Sequence, residues 1–412
     1  MMKSVPLFPR QWPALFLLVV FAACGIPAGK APQPLAQPQT VLLVSLDGFR
    51  RDYLDRDSPP ALTALGNDGV VAAAMIPSFP TLTFPNHYSI VTGLYPEHHG
   101  IVANTMWDSV FDIGFTISGP EVQKERWWGG EPIWVTAERQ GVKSASFFWV
   151  GSEAPIGGIR PSIYKKFDGK VTFEARVDSV LAWLSLPAAQ RPRMITLYFN
   201  EPDHIGHEKG PDSPETHAAI LMADSAIGRL VAGLRSQGMY DAVNLIVVSD
   251  HGMANISPDR YVYLTDVLDT LNVRTIDRGP IFMGWALNGD NVALVAALRR
   301  LPHVQAWLKR DIPDRLHFRD NRRITPVVAL AETGWMINVG KPTKNRNLGT
   351  HGFDNADPLM NALFIAHGPA FKSGARIPAF PNVDVYSLMA RILGLTPAPN
   401  DGSLSTLERA LR

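Results

Sequence analysis

Thr40-Val-Leu-Leu-Val-Ser45-Leu-Asp47-Gly48 decides the fold. Its apolar, β-branched run has no polar alternation, the pattern of a strand buried on both faces. It then stops on an aspartate and a glycine. The design recurs downstream. Lys143–Trp149, Met194–Phe199, Val243–Ser249 and Asn361–Ala366 are short and almost continuously hydrophobic. Helical patterns lie between them, over Glu131–Gln140, Phe173–Leu184, Pro214–Gln237 and Asp384–Leu393. Ser213-Pro214-Glu215 is a helix start, and Gly141 and Gly238 are stops. This alternation predicts an α/β fold, with a mostly parallel central sheet and helices on both faces. Chemistry in such sheets collects in loops beyond the strand C-terminal ends. Residues 259–345 break the rhythm. They carry Ile281–Leu287, Asn291–Leu301, Arg315–Phe318 and Val327–Val339, and are expected to form an inserted smaller substructure that returns to the main sheet.

The chain has 412 residues and one cysteine, with Lys+Arg 39 against Asp+Glu 38 and a net charge of +1. That balance excludes a nucleic-acid scaffold held by a basic surface. A mean hydropathy near zero excludes a polytopic membrane protein. The length suffices to bury a large core without covalent staples. Residues 1–24 read as an export segment. Lys3 and Arg10 precede the apolar run Pro13–Ala23, which is short of the ~20 residues a membrane span needs. A retained signal anchor is the rival reading. Cys24 closes the run and resembles a bacterial lipoprotein cleavage box, so a lipidated Cys24 would tether the protein to a membrane. Cleavage near Ala28 or Ala36 is the alternative. Residues 25–39 read as a flexible tether to a single domain, 40–412. The expected location is periplasmic or membrane-anchored, and no obligate protein partner is evident.

Several strands run straight into metal-ligand types. Asp47 follows the first. Asp203 and His207, four apart, follow Met194–Phe199. Asp250-His251 follows Val243–Ser249, and His351 sits in the loop before the last strand. A lone aspartate after a strand is ordinarily a turn residue or a cap. Recurrence at four places along one sheet edge argues against that. Mixed imidazole and carboxylate ligands suit Zn²⁺, and six exceed what one tetrahedral ion accepts, so two ions are expected. The tandem His98-His99 is a contrast, in a turn-like stretch where a structural or solvent-facing role is expected. Thr83, in Pro80-Thr-Leu-Thr83-Phe84-Pro85-Asn86-His87, starts an amphipathic helix, where unpaired N–H groups favour an anion. An N-capping threonine is the plain alternative. As a nucleophile its hydroxyl needs an activator, which metal coordination would supply.

Leu43–Arg50, Pro80–Gly93, Leu197–His207, Ser249–Met253 and His351–Asn355 together resemble the nucleotide pyrophosphatase/phosphodiesterase family of the alkaline phosphatase superfamily. The likeness runs over about 40–408, including Gly130–Thr136 and Asn382–Tyr386, and covers the catalytic domain only. It implies an alkaline-phosphatase-like sheet and a bacterial enzyme that hydrolyses nucleotide phosphodiesters and phosphoanhydrides. Thr83 resembles the nucleophile, which would carry a covalent phosphate. One zinc would be held by Asp47, Asp250, His251 and Thr83, the other by Asp203, His207 and His351. Asn104 matches the asparagine on a non-bridging phosphate oxygen. Phe84 and Tyr198 fall where a nucleobase is sandwiched. Small nucleotides are the implied substrates. A phosphomonoesterase, a lysophospholipid or choline phosphodiesterase, and a metal-binding protein without turnover are the competing readings.

Overall fold

The computed structural model describes residues 1–2, 39–341 and 347–412. The readings placed on Lys3, Arg10, Cys24 and the tether lie outside these residues. The described residues from Gln39 onward fall in one compact unit.

Eight strands form the central sheet: β1 Thr40–Leu46, β2 Val70–Ala72, β3 Ser144–Phe147, β4 Ile163–Lys165, β5 Met194–Phe199, β6 Val243–Val248, β7 Phe364–His367 and β8 Ala375–Ile377. Their order is β8-β2-β7-β6-β1-β5-β3-β4. β1 pairs parallel with β5 and with β6, aligning Ser45 with Tyr198 and Val248. β7 runs antiparallel to both its neighbours, so the sheet is mixed. That reversal places the start of β7, and the loop feeding it, at the edge where the parallel strands end.

β1 shows why its sequence lacks alternation. Val41 and Leu43 enter one core, while Leu42, Val44 and Leu46 enter another across the sheet. Helices Thr83–Thr92, Ile133–Arg139 and Asp384–Leu393 cover the first face. Helices Pro60–Asp68, Phe173–Leu184 and Pro214–Ser236 cover the second. The starts are chemically marked: Thr172 accepts from the Ala175 N–H and Ser213 from the Thr216 N–H. Pro214–Ser236 is apolar and long enough to cross a membrane, but Ile220, Ile227, Leu230 and Leu234 are wholly buried in this core.

Several boundaries differ from the sequence expectation: the last strand starts at Phe364, not Asn361, and Val327–Val339 and Asn291–Leu301 end early, at Ala331 and Leu298. Two further differences have a visible cause. The helix expected from Glu131 begins at Ile133, because Pro132 is its extended cap and the Glu131 carboxylate instead accepts from the Thr136 hydroxyl. β3 stops at Phe147, since Phe148 takes a left-handed φ of 69° that turns Trp149 away from the strand. Within 259–345 the chain builds its own four-stranded antiparallel sheet, Val273–Asp277, Ile281–Ala286, Val327–Ala331 and Val304–Leu308 in spatial order. The helix Asn291–Leu298 packs on it, burying Leu294, Val295 and Leu298 in a third core.

Candidate active site

The ends of β1, β5 and β6 meet at one rim. Asp47 follows β1 directly, and Asp203 begins the short helix Asp203–Lys209, which puts His207 one turn on along the same face. Gly48 permits the close approach of the two loops. Its φ is 66°, and a Cβ there would lie 2.8 Å from the Cβ of Asp203. The Gly48 N–H also donates to Asp250 Oδ1 at 3.1 Å.

Asp47, Asp250 and His251 form one group whose ligand atoms all lie within 4.8 Å of one another. His251 Nε2 is 2.9 Å from Asp250 Oδ2 and 3.6 Å from Asp47 Oδ1. Asp203, His251 and His351 form a second such group. His207 joins it through Nε2, 3.1 Å from His351 Nε2 and 3.5 Å from Asp203 Oδ1. His251 lies between the groups, its ring stacked on His351 with centroids 3.5 Å apart. All six expected ligands therefore converge.

Their hydrogen bonding fits cations. The Nδ1–H groups of His207, His251 and His351 donate to the carbonyls of Gly349, Gly252 and Thr81 at 2.8–2.9 Å. With Nδ1 so engaged, each ring turns its Nε2 into the rim, the orientation metal-binding histidines adopt. Two such nitrogens face each other between His207 and His351. Three buried carboxylate oxygens, Asp47 Oδ1, Asp203 Oδ1 and Asp250 Oδ2, lack a hydrogen-bond partner. Orphaned acceptors of this kind are costly unless a cation answers them.

Burial lowers the His251 imidazole, but Asp250 and Asp203 outweigh it and raise it above its ordinary value. Burial, with the charges of Asp250 and Asp203, raises Asp47 well above the usual carboxylate range. Burial pushes Asp250 up too, but His251 and His87 outweigh it and hold it well below that range. Burial, His251 and His207 hold the His351 imidazole well below its ordinary value, in its ligating neutral form.

Thr83 is the first residue of its helix. Leu82 occupies the cap position, so the hydroxyl is not a helix cap; it lies 3.3 Å from His251 Nε2. Asn104 Oδ1 accepts the Phe84 N–H at 3.0 Å, leaving the Asn104 amide nitrogen to donate elsewhere. That bond also uses one N–H of the helix start.

A cavity of about 300 Å³ opens beside Thr83, Asp47 and Asp203. Phe84 and Tyr198 both line it, as do Phe148, Phe167 and Glu153. Sequence reasoning missed Phe167, whose half-exposed ring meets Tyr198 edge-on at 6.2 Å. It sits in the polar run Lys165-Lys166-Phe167-Asp168, where nothing marks it. It also missed His87, which reads as a helix core position. That buried ring donates from Nδ1 to the Thr83 carbonyl at 3.0 Å and lies 3.2 Å from Asp250 Oδ2. Of the contrasting tandem, His98 is exposed on Asp401, and buried His99 bonds Ser89.

A mixed α/β sheet with Asp/His groups and a helix-start threonine at its rim is the alkaline-phosphatase-like arrangement. The chain belongs to the family described as type I phosphodiesterase / nucleotide pyrophosphatase, which it matches over residues 41–354. Venom phosphodiesterase of Macrovipera lebetinus is 41% identical over 403 residues, covering 95% of this chain and 46% of the relative. Ectonucleotide pyrophosphatase/phosphodiesterase family member 1 of Mus musculus is 42% identical over 402 residues, covering 94% and 44%. The chain thus spans about half the length of these relatives. Murine ectonucleotide pyrophosphatase/phosphodiesterase 5, an inactive threonine-to-alanine form in complex with AMP, superposes with a TM-score of 0.88 at 36% identity. That superposition covers 91% of this chain and all of the murine one.

Proposed function

We propose that this chain hydrolyses phosphodiester and phosphoanhydride bonds of nucleotides through a covalent phosphate on Thr83. One observation carries the reading: a helix-start hydroxyl 3.3 Å from His251 Nε2 faces a cavity rimmed by unpartnered carboxylate oxygens. We assign Asp47, Asp250, His251 and Thr83 to one zinc ion, and Asp203, His207 and His351 to the other. Bound there, two zinc ions would supply Lewis acidity and ease ionisation of an alcohol or a water.

The chain's own groups do the rest. Thr83 Oγ1 bonds to phosphorus as the bond to the leaving group opposite breaks. Water then cleaves the phospho-threonine and restores the hydroxyl. The free amide nitrogen of Asn104 donates to a non-bridging phosphate oxygen. Phe84 and Tyr198, with Phe167 on the same wall, receive the nucleobase; stacking is worth ~1–3 kcal/mol and tolerates every base. A nucleoside triphosphate would give a nucleoside monophosphate and pyrophosphate.

The names of the relatives and the AMP held by the murine neighbour support a nucleotide substrate. Among the described residues lining the cavity there is no lysine or arginine to neutralise the extra charge of a phosphomonoester, which favours diesters. Faster hydrolysis of p-nitrophenyl thymidine monophosphate than of p-nitrophenyl phosphate is the expected result; the reverse order refutes it. Assays on ATP, a dinucleotide and a lysophospholipid, with and without chelator, separate the remaining diester classes. Export is supported by relatives named as venom and ecto-enzymes. A bacterial source and lipidation at Cys24 belong to the same proposal, the latter checked by mass spectrometry of the mature N-terminus.

A further inference from the structure

Tyr198 has an exposed duty and a hidden one. Its ring lines the cavity, and its hydroxyl donates to Asp47 Oδ2 at 2.6 Å. The other carboxylate oxygen of Asp47, Oδ1, is buried, unpartnered and 3.6 Å from His251 Nε2. A carboxylate pinned at one oxygen has its second oxygen aimed. The register does this, because Tyr198 sits directly across from Ser45 in the β1–β5 pair, two residues before Asp47.

The phenol is itself held. His87 meets the Tyr198 ring edge-on at 5.3 Å and the Trp149 ring at 5.2 Å. His87 Nε2 shares a hydrogen bond with the Ser45 hydroxyl 2.9 Å away, while its Nδ1–H donates to the Thr83 carbonyl. The Trp149 indole N–H donates to the His87 carbonyl at 3.1 Å. The Arg176 guanidinium donates to the Tyr198 carbonyl at 3.0 Å. A buried aromatic platform thus reaches from the nucleophile's helix to the outer oxygen of Asp47.

We propose that Tyr198 is a positioning residue for the cation site, its hydroxyl fixing Asp47 so that Oδ1 faces the ion shared with Asp250, His251 and Thr83. This rests on the two-ion reading of the rim. Removing the hydroxyl while keeping the ring separates this duty from contact with substrate. Partners that orient a ligand typically account for roughly 10–100-fold in metal affinity.

The experiment titrates zinc into metal-free protein against a chromophoric chelator, for the wild type, Tyr198→Phe and Tyr198→Leu. The wild type should take up two ions. Tyr198→Phe should bind one of the two about tenfold or more weakly, with the other unchanged, while kcat falls at limiting zinc and KM for p-nitrophenyl thymidine monophosphate rises less than in Tyr198→Leu. Excess zinc should restore its kcat. Tyr198→Leu should lose the same zinc affinity and raise KM as well. The thermal midpoint of each metal-free variant checks folding, and the leucine form carries the zinc measurement if the phenylalanine form is unstable. Wild-type protein that binds no zinc overturns the two-ion reading. Two ions bound with unchanged affinity in both variants overturns the role given to Tyr198 and leaves that reading standing.

Discussion

The two ligand groups at the rim are built from different material. In the first, the Asp47 side chain is 2% exposed and those of Asp250 and His251 are 0% exposed. They follow the ends of central strands, and Asp47 and Asp250 are pinned by the Tyr198 hydroxyl and the Gly48 N–H. In the second, Asp203 is 18% and His207 24% exposed, both on a seven-residue helix, and only His351 is buried. The first is a fixture of the sheet, and the second sits on loops near solvent. A strand end cannot move without disturbing the ladder; a short helix can. On the proposed reading, the first group is suited to hold Thr83 in one place, the second to admit and release groups that come and go.

The sharpest way to break this division is at Thr83. Thr83→Ala should lower turnover by on the order of 10³-fold or more, while zinc content measured by elemental analysis stays nearly intact. Retained activity would refute the covalent route; loss of zinc would make Thr83 a structural ligand instead. The next test compares ligands across the two groups. Stepwise chelation of the wild type should release one zinc at least about tenfold faster than the other. His207→Ala should abolish the fast phase and spare the slow one, whereas Asp250→Ala should lower both. Equal release rates would erase the contrast.

Gly48 joins the groups, so substituting it tests whether they are coupled. Gly48→Ala should destabilise the fold by about 1–3 kcal/mol, because its positive φ and the Cβ of Asp203 leave no room for a side chain. Denaturant midpoints measure the loss, and zinc titration should show both ions weakened together. The smallest effect comes from a histidine outside either group. Burial holds His99 at a pKa of about 3, and its Nδ1 accepts the Ile101 N–H. The folded ring stays neutral while the unfolded one protonates below about 6.5. Stability should therefore fall with pH from about 6.5 toward 3, by about 1–2 kcal/mol between pH 7 and 5. His99→Gln should flatten that fall in chelated protein, if the effect is independent of the ions.

The two groups were not equally easy to read from the chain. Asp47 and Asp250-His251 stand out because each follows a strand that is almost continuously apolar, and a charge there is conspicuous. Asp203 and His207 show only as a spacing of four. His351 sits far from any clear strand, and its place depends on the reversal of β7, which periodicity does not disclose. The sheet was legible for the same reason as the first group: burial on both faces leaves continuous apolar runs. The small antiparallel sheet was legible only in part: Ile281–Leu287 and Val327–Val339 hold two of its strands, but Val273–Asp277 and Val304–Leu308 mix with turns and do not stand out. The Tyr198 hydroxyl and Phe167 gain their roles from partners distant in sequence, and His87 from Ser45 and Asp250 as well as from Thr83 one turn away, so neither their type nor their spacing announces these contacts.

His251 and His351 enclose the whole four-stranded lobe, yet their rings lie one upon the other. A stretch of about a hundred residues is thus a closed loop whose knot is tied at the rim, and opening it on unfolding releases considerable chain entropy. Many proteins fasten such loops with a pair of sulfurs. This chain has a single cysteine, so the clasp falls to the rim's imidazoles, and a metal bound there would also keep the lobe from drifting off.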